Sequence, residues 1–374
     1  MFASVLHLHA DDVLALPSDT AIGEDGLGAD SFDLLELARR VGTFFPVSEI
    51  GVEDNLLRSP TIGRWTAIVL DAWTRSDRHL TFVTSGSTGT PTRHRHAWHH
   101  LAQEIDVFAR LFADRRRIVG VLPRHHIYGF LFTVMLPQHT GIAFVDLRER
   151  STASVLRALR PGDLVIGFPL AWSGVAESDL AFAGDVVGVT STGPCPPELH
   201  ARLRARGLAR LVHVYGSSET AGIGWQDDPD RGFRLLPYWS RGEDRALIRR
   251  DDGDAKGDVV LPPDELVWHE SAFFVGARHD RAVQVGGINV YLAHVTATIR
   301  THPDVADCAV RLMREEEGHR LKVFVVPRIA DEALSAGALQ RWIDQRLSPA
   351  ERPRSFRFGP ALPRDERGKL ADWS

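Results

Sequence analysis

Small residues with hydroxyl groups or no side chain follow an apolar run near residue 80. The run LTFVT leads directly into SGSTGT, and Pro91 comes next. Glycine lets a ligand approach the backbone closely, and the neighbouring hydroxyls and backbone N–H groups can bind phosphate oxygens. A flexible surface loop has a similar composition, so this segment alone leaves both interpretations open. The candidate phosphate-binding residues are Thr84, Ser85, Gly86, Ser87, Thr88, Gly89 and Thr90.

Two common nucleotide-binding motifs do not fit this loop. A Walker loop needs Gly-Lys-Ser/Thr four residues after its first glycine, whereas Pro91, Thr92 and Arg93 follow here. The G-x-G-x-x-G fingerprint of dinucleotide-binding proteins is absent as well. If the loop binds phosphate, it does so within another family of motifs.

Five segments resemble, in order, the signature motifs of the acyl-adenylate-forming superfamily, which includes acyl-CoA synthetases, aryl-CoA ligases and peptide-synthetase adenylation domains. TSGSTGTP resembles the phosphate-binding loop, LPRHHIYGF the acyl-pocket motif, and VYGSSETAG the Tyr-Gly-x-x-Glu motif. GARHDRAVQVGGINV resembles the hinge between the family's two domains, and ALPRDERGKL the C-terminal loop with the catalytic lysine. One such match is weak, but five collinear matches are specific. The resemblance implies that ATP and a carboxylic acid form acyl-AMP, and that a thiol then displaces AMP.

The resemblance implies roles for the Tyr-Gly-x-x-Glu motif. Glu219 would be the ligand of Mg²⁺, a hard cation that prefers oxygen, although a solvated turn carboxylate would look the same in isolation. Tyr215 would pack its flat face against adenine, and a core tyrosine at a strand end is the alternative. The segment STGPCP stands where the family has a loop that contacts adenine and the acyl group. Further nucleotide contacts would come from Gly193, Gly216, Ser218 and Thr220.

Two residues resemble the family's ribose-binding pair. Asp264 precedes Arg278 by nearly the family spacing, but the Thr-Gly-Asp context is missing. The resemblance implies that Asp264 binds the ribose hydroxyls. Arg278 would contact ribose or phosphate as a permanent cation.

The C-terminal matches imply a catalytic lysine and a hinge. Lys369 follows Leu-Pro at the family distance, so it would stabilise the transition state between the carboxylate and the α-phosphate. An exposed lysine in a polar tail usually has no such role. Asp280 matches the residue about which the small domain swings between the two half-reactions.

The sequence departs from the family at the phosphate loop, where Thr92 occupies the slot of the usual lysine. Arg93 and Arg95 follow, and either one is a candidate for the missing charge. His126 matches the histidine of the acyl-pocket motif, although it could equally be an ordinary hydrogen-bonded histidine.

The segment HRHAWHH raises a separate metal question. His96 and His100 would share one face of a helix because they are four residues apart. No cysteine or carboxylate nearby in sequence completes a recognisable set, so a zinc site is not the expected outcome.

The acid and its acceptor are less specified than the chemistry. Aromatic residues suggest an acyl pocket suited to a flat ring, although plain core is the commoner role for such residues; they are Phe130, Phe132, Trp172 and Trp225. The compact layout resembles ligases of aryl-polyene and xanthomonadin-type pigment pathways, which implies a hydroxybenzoate-like acid and an acyl carrier protein. The phosphopantetheine thiol of CoA is the alternative acceptor, and a fatty acid the alternative substrate. The basic stretch between residues 346 and 357 would suit an acidic carrier.

Two other functions stay open. A non-catalytic nucleotide-binding protein with this fold would explain the altered phosphate loop, but it would need neither Glu219 nor Lys369. An enzyme that stops at acyl-AMP, or passes it to an amine, is disfavoured by the hinge motif.

The elements that position these residues indicate an α/β fold. Short continuous apolar runs, such as LTFVT, DLVIGFP and RLVHVYG, alternate with amphipathic segments, which predicts a largely parallel sheet whose strands are buried on both faces. We expect a large N-terminal adenylate-forming domain over residues 1–277, with a reduced lead segment over 1–79. A small, mobile α+β domain over 278–374 would carry the lysine loop.

Composition restricts the remaining possibilities. The 374 residues carry a formal net charge of −5, which argues against nucleic-acid binding as the main task. Only two cysteines occur, and no apolar run approaches the length that crosses a bilayer. The N-terminus lacks the pattern of a signal peptide. The sequence therefore predicts a soluble cytoplasmic enzyme without membrane insertion.

Overall fold

The computed structural model describes most of the chain in residue-level detail. The described residues are 5–6, 16–84, 92–251, 257–279, 282–286, 288–314, 317–318, 320–328, 335–366 and 370–373. Residues 85–90, Asp280 and Lys369, which the sequence singled out, lie outside them. No helix among the described residues is long and apolar enough to span a membrane.

The lead segment forms a small helical unit with its own core. Its helices are α1 (Ser31–Phe44), α2 (Asp54–Arg58) and α3 (Ile62–Arg75), with a 3₁₀ turn at Ser48–Ile50. Asp30 caps α1, since its carboxylate accepts the backbone N–H groups of Phe32 and Asp33 at 2.8 Å. The apolar faces of α1 and α3 pack together around Leu37, Val41 and Trp65. Both helices carry the apolar spacing of an amphipathic helix.

The run LTFVT forms a strand outside the main sheet. It is β1 (His79–Thr84), which pairs only with β2 (Thr92–Ala97) in a two-stranded antiparallel sheet. The expectation that this strand belongs to the parallel sheet was wrong. His79, Leu80 and Phe82 of β1 are buried and Val83 is exposed, because from Leu80 onwards the hairpin presents one face to the core and the other outwards.

The chain then builds a nine-stranded sheet with helices between strands. The elements in chain order are α4 (Trp98–Leu111), β3 (Arg117–Gly120), α5 (Ile127–Phe130), α6 (Leu136–Thr140), β4 (Ala143–Asp146), α7 (Thr152–Ala158), β5 (Asp163–Ile166), α8 (Pro169–Glu177), β6 (Val187–Thr190), α9 (Pro197–Ala205), β7 (Arg210–Ser217), β8 (Ala221–Gln226), β9 (Phe233–Leu235), β10 (Trp239–Arg241), β11 (Leu247–Arg249), β12 (Asp258–Val260), β13 (Asp264–His269) and β14 (Ala272–Arg278).

The sheet is parallel in one half and antiparallel in the other. Its strand order is β13-β14-β9-β8-β7-β6-β5-β3-β4, and the pairings from β4 to β7 are all parallel. Every residue of β5 and β6 is buried, as the continuous apolar runs predicted. From β7 onwards the pairings are antiparallel. A separate three-stranded sheet contains β10, β11 and β12.

The acyl-pocket motif opens a continuous helical segment that includes a π turn. Helix α5 passes through a π-helical turn, Leu131–Met135, into α6. Gly129 lies so close to the preceding loop that a Cβ atom would stand 2.1 Å from the carbonyl oxygen of Pro123. The motif therefore needs glycine at this position for the helix to pack against the loop.

The C-terminal residues form a separate α+β unit. Its elements are β15 (Val283–Val285), β16 (Ile288–Val290), α10 (Leu292–Arg300), β17 (Val305–Leu312), β18 (Leu321–Pro327), α11 (Ala336–Asp344) and β19 (Ser355–Phe358). The buried core clusters of this part contain only residues from 283 onwards, whereas those of the large part end at Phe273. The protein is thus an α/β fold with a large N-terminal and a small C-terminal domain. The boundary at 277/278 stays a prediction.

Candidate active site

Three of the motifs leave the parallel strands at the same edge of the sheet. The acyl-pocket motif follows β3, the STGPCP segment follows β6, and the Tyr-Gly-x-x-Glu motif ends β7. Parallel strands place their carboxyl ends side by side, and open α/β sheets bind ligands there. The topology therefore gathers motifs that lie up to a hundred residues apart.

Tyr215, Asp264 and Arg278 form a buried polar group beside this edge. The hydroxyl of Tyr215 donates to Oδ2 of Asp264 at 2.8 Å. Asp264 and Arg278 face each other across β13 and β14, and their charged atoms approach to 3.8 Å. Burial, together with the Asp264 carboxylate, raises the pKa of Tyr215, so its hydroxyl remains a neutral donor. The ring of Tyr215 packs against the rings of Phe233 and Phe273, with centroid distances of 5.7 and 5.6 Å.

The β1–β2 hairpin contacts the Tyr-Gly-x-x-Glu motif through histidines. His94 is within 3.0 Å of the Thr84 hydroxyl, at the point where the candidate phosphate loop begins. The ring of His96 donates to the carbonyl oxygen of Ser218 at 2.7 Å. Burial is the main cause that lowers the pKa of His96 to about 4, so the ring is neutral near pH 7. The hairpin is therefore held against the turn that carries Glu219, which we call the carboxylate turn.

Arg93 and Arg95 lie on the opposite face of the same hairpin. Residues directly opposite each other in an antiparallel pair share a face. The register pairs Val83 with Arg93 and Thr81 with Arg95, whereas His94 and His96 share the other face with Phe82. The two arginines line a cavity of about 570 Å³ against the lead helices, and no residue of the Tyr-Gly-x-x-Glu motif lines it. The geometry does not favour either arginine as the replacement for the usual loop lysine.

Glu219 stands at an exposed turn whose backbone is held tightly. The hydroxyls of Ser217 and Thr220 are 3.0 Å apart and each accepts the other residue's backbone N–H group. Ala221 has a φ of 57°, a left-handed conformation that costs free energy for any residue except glycine. The turn thus presents Glu219 to solvent at the sheet edge, and its carboxylate oxygens are the donors that Mg²⁺ prefers.

Glu104 supports this turn from below, and the sequence analysis missed it. Its carboxylate accepts the backbone N–H of Gly222 at 2.8 Å, and the indole of Trp239 donates to the carbonyl oxygen of Gly222 at 2.8 Å. Burial raises the pKa of Glu104, which is only 1% exposed. A Cβ atom at position 222 would stand 2.4 Å from Glu104, so only glycine fits. A carboxylate between Leu101 and Ile105, on the apolar face of α4, was the available signal.

The remaining nucleotide candidates lie on neighbouring backbone. Gly193 follows Thr192, which has a left-handed φ of 73°. Burial is the main cause that lowers the pKa of His213 to about 4, although its hydrogen bond to the backbone of Gly193 acts in the opposite direction. Since His213 is two residues before Tyr215, this bond ties the STGPCP segment to β7. Gly216 pairs with Gly222 at the base of the turn.

His126 lies at the start of the acyl-pocket helix. It is the residue before α5, and its ring centroid lies 4.2 Å from that of His125, with the two ring planes tilted by 42°. Both rings keep solvent-exposed edges, while the surrounding chain displaces enough water to lower the pKa of His126. The helix reaches the phosphate hairpin through Phe130, whose ring lies 5.8 Å from that of Phe82.

All four aromatic residues proposed for the acyl pocket belong to the core or pack against it. Phe132 is fully buried against Phe108, and Trp172 is 2% exposed with its indole donating to Val189. Trp225 is covered by the guanidinium of Arg234 at 4.0 Å. Trp225 and Phe130 are both partly buried against the core, and Phe130 is the last residue of the acyl-pocket motif. Aromatic content therefore gave no reliable evidence for a flat acid.

The expected helical pair of His96 and His100 does not exist. His96 belongs to β2, whereas His100 is in the first turn of α4. His100 instead lies with His99 beside Asp251, a carboxylate some 150 positions away in sequence. The partner was invisible in sequence because it lies on the segment after β11.

The tail next to the lysine loop is anchored by a buried cation. The ammonium of Lys322, 2% exposed, lies 2.6 Å from the carbonyl oxygen of Trp373 and about 3 Å from carboxylate oxygens of Glu317 and Asp372. Trp373 packs against Phe324. An isolated bridge between Arg364 and Leu370 closes the loop to which Lys369 belongs. Its two ends are therefore fixed, although Lys369 itself lies outside the described residues.

Comparison with known proteins identifies the family. The AMP-binding enzyme model matches residues 61–237, and the AMP-binding enzyme C-terminal domain model matches residues 294–369. A 4-coumarate–CoA ligase from Halorhodospira halophila is 37% identical over 358 residues, which cover 95% of this chain and 90% of that protein. The chain belongs to the AMP-binding enzyme family. A 4-coumarate–CoA ligase from Rhodobacter capsulatus is 39% identical, over 96% of this chain and 93% of the relative.

Solved structures of this family share the fold. An amide bond synthetase from Marinactinospora thermotolerans superposes with a TM-score of 0.65 at 21% identity, covering 78% of this chain and 67% of that one. An o-succinylbenzoate CoA synthetase from Bacillus subtilis gives a TM-score of 0.62 at 19% identity, with the same coverage. At these identities the likeness concerns the fold alone. Together with its CoA-ligase relatives, family membership makes the chain an AMP-forming acid–thiol ligase that uses ATP and proceeds through an acyl-adenylate.

Proposed function

We propose that the protein activates an aryl carboxylic acid of the hydroxycinnamate class and transfers its acyl group to the thiol of CoA. The observation that carries this proposal is the cluster of Tyr215, Asp264 and Arg278 beside the Glu219 turn, in a chain 37–39% identical to ligases named for 4-coumarate. That cluster offers an aromatic face, an anion and a cation at one edge of the sheet.

The nucleotide would bind across this edge. Tyr215 supplies a surface for adenine, Asp264 accepts hydrogen bonds from ribose hydroxyls, and Arg278 neutralises negative charge. The hydroxyl of Thr84 and the loop 85–90 would hold phosphate oxygens, with Gly193, Gly216, Ser218 and Thr220 lining the site. When bound at Glu219, Mg²⁺ supplies charge neutralisation at the phosphates.

Chemistry would then proceed in two balanced steps. A carboxylate oxygen attacks the α-phosphorus, and the bond to pyrophosphate breaks. A thiol sulfur next attacks the acyl carbon, the bond to AMP breaks, and the thiol proton goes to solvent. His126, at the mouth of the acyl-pocket helix, would gate access of the acid.

Lys369 is the proposed cation of the first step. The sequence contains only three lysines, Lys256, Lys322 and Lys369. The ammonium of Lys322 is occupied by oxygens of the tail, so it has a structural role. We also propose that the domains divide at 277/278 and that Asp280 is the hinge that brings Lys369 to the site and removes it again.

The acceptor thiol is the finer point. Relatives named CoA ligases support CoA. An acyl carrier protein is the second candidate, favoured by three exposed arginines, Arg346, Arg354 and Arg357, which suit an acidic partner. The other basic side chain of this stretch, Arg352, is used internally, since it donates to the carbonyl oxygens of Leu347 and Asp344.

Acid-dependent pyrophosphate release, measured with ATP and Mg²⁺, tests the proposal. The panel contains 4-coumarate, other ring-substituted cinnamates, hydroxybenzoates and medium-chain fatty acids, each with CoA or a phosphopantetheinylated carrier protein. We expect pyrophosphate release to be fastest with the cinnamates. We expect a thioester to form only when CoA is the acceptor. Release with fatty acids alone, or with no acid, would overturn the proposed substrate class.

The variant Lys369→Ala separates the two half-reactions. We expect it to abolish acyl-AMP formation while largely sparing thioester formation from supplied acyl-AMP, because only the first step needs a cation at the α-phosphate. Lys256→Ala is the matched control and should retain both activities. Equal loss of both half-reactions in Lys369→Ala would remove Lys369 from this role.

A further inference from the structure

Two histidines and a carboxylate converge at the start of helix α4. Nε2 of His99 lies 3.1 Å from Oδ2 of Asp251, and Nε2 of His100 lies 3.1 Å from Oδ1 of the same carboxylate. Their candidate ligand atoms all lie within 4.8 Å of one another. None of the three belongs to the motifs that carry the ligase chemistry.

The spacing fits the ligand shell of a small metal ion. Bonds of about 2.0–2.1 Å arranged tetrahedrally put neighbouring ligand atoms about 3.3 Å apart. Both nitrogen–oxygen distances already have nearly this value. The centroids of the two imidazole rings are 4.3 Å apart, and the His99 side chain is 65% exposed, so it is free to adjust to an ion.

The backbone on both sides of the cluster is held in place. Arg249 donates to the carbonyl oxygen of His100 at 2.6 Å, and Gln103 donates to the carbonyl oxygen of Arg250 at 3.1 Å. His100 is only 17% exposed, so its ring has little freedom. The ligands are therefore largely positioned before any ion arrives, which lowers the entropic cost of binding.

We propose that His99, His100 and Asp251 form a binding site for a divalent transition metal of the zinc class, separate from the magnesium that accompanies ATP. Imidazole nitrogens suit zinc, nickel, copper and cobalt, whereas magnesium prefers oxygen ligands alone. Each neutral imidazole coordinates through Nε2 and keeps its hydrogen on Nδ1, so binding needs no other reactant. Three protein ligands leave one tetrahedral position for water.

The neighbouring cation does not compete for this position. Arg249 is the positive group next to the cluster, and its guanidinium stacks over the Tyr238 ring at 4.3 Å while donating to His100 and Gln103. A bound ion would cross-link the start of α4 to the end of β11. Since His96, three residues before His99, binds Ser218, the cross-link would also stiffen the support of the carboxylate turn.

Calorimetric titration of the full chain with ZnCl₂ tests the site after dialysis against a chelator and without ATP. We expect one equivalent of zinc to bind, with no competition from millimolar Mg²⁺. The variants His99→Ala, His100→Ala and Asp251→Asn should each weaken binding by more than the roughly 10–100-fold that loss of a merely supporting residue costs. Zinc should raise the Tm of the wild type and not that of the variants.

His139→Ala is the matched control, because His139 forms a similar half-exposed pair with Asp106 at 3.1 Å. It should bind zinc as the wild type does. X-ray absorption of the zinc-loaded wild type should report two nitrogen ligands from imidazole, a result that does not depend on how well any variant folds. Absence of binding to the wild type, unchanged binding in the three variants, or a spectrum without imidazole would overturn the site.

Discussion

Asp264 shares its carboxylate between a tyrosine hydroxyl and an arginine that are distant in sequence. Residue types in a motif predicted that an acid and a base would face the ribose. They could not predict that Tyr215 donates to Asp264, because this contact depends on β13 lying at the far edge of the antiparallel half. The sequence could therefore predict which residues are candidates for binding, but it could not predict which of them contact each other.

The variant Asp264→Asn measures the proposed ribose contact. The amide keeps an acceptor for Tyr215 but loses the charge, so we expect the KM for ATP to rise roughly 10–100-fold, the cost of one hydrogen bond to a charged group. The KM for the acid should stay within about twofold of the wild type, because the proposed ribose contact does not involve the acid. Steady-state pyrophosphate release measures both constants.

Glu265→Gln is the control for this variant, because Glu265 is the exposed neighbour on the same strand. It should leave both constants unchanged. A parallel rise of both KM values in Asp264→Asn would indicate a general structural defect rather than a lost ribose contact.

The alternation of side chains along β2 decides which residues of the β1–β2 hairpin lie on the same face as Thr84, next to the candidate phosphate loop. The sequence offered Arg93 and Arg95 as replacements for the usual lysine, on charge alone. In β2 these residues face the lead helices, where Arg95 approaches carboxylate oxygens of Glu49 and Asp77. His94, which the sequence analysis did not single out, lies on the other face and contacts the hydroxyl of Thr84 at the end of β1. The register of the β1–β2 pair decides which face each of these residues takes, and the sequence alone did not give that register.

We expect His94→Ala to raise the KM for ATP by about fivefold, the value of one ordinary hydrogen bond, because the Thr84 hydroxyl loses its partner. Arg95→Ala should change the KM by less than about twofold, since its ion pairs are exposed. Initial rates at varied ATP give both values. A larger effect in Arg95→Ala than in His94→Ala would contradict the assignment of faces.

Other elements divide in the same way between predictable and unpredictable. The strands β5 and β6 followed directly from apolar runs, since burial on both faces leaves no other pattern. The short strands β10 to β12 lie in a charged, glycine-rich stretch that has no apolar period. They are held against α4 through Arg249, which lies over the rings of Tyr238 and Trp239 and donates to the carbonyl oxygen of His100, and the sequence does not reveal these contacts.

At the scale of the whole molecule, buried histidines make stability depend on pH. The pKa of His213 is about 4 in the folded protein, mainly because of burial, against an ordinary value near 6.5. Between these values the unfolded chain binds more protons than the folded one, so stability rises with pH. The contribution of neutral His213 to stability is fully present above about pH 6.5 and is lost progressively as the pH falls towards 4.

Urea unfolding at pH 7.5 and pH 5 measures this contribution. In His213→Gln, we expect the loss of unfolding free energy between the two pH values to be about 1–2 kcal/mol smaller than in the wild type. His269→Gln, which removes an exposed histidine, should keep the wild-type loss. Identical pH dependence in His213→Gln and the wild type would mean that His213 titrates normally.

The overall fold class was predictable, because the alternation of apolar runs and helices fixes an α/β architecture and the collinear motifs indicated the family. The conversion of the sheet from parallel to antiparallel at β7 was not. It depends on the strained turn at Ala221 and on the glycines that let β7 and β8 approach.

The rings of Phe44, Phe82 and Phe130 meet within 5.3 to 5.8 Å, and they come from the lead helix, the phosphate hairpin and the acyl-pocket helix. In the proposed site, the acid and ATP would therefore share one wall. Substitutions that reshape this wall to admit a different acid would then also disturb the β1–β2 hairpin, which we propose binds ATP. Engineering of substrate choice in this enzyme should therefore begin elsewhere, or should expect turnover and selectivity to change together.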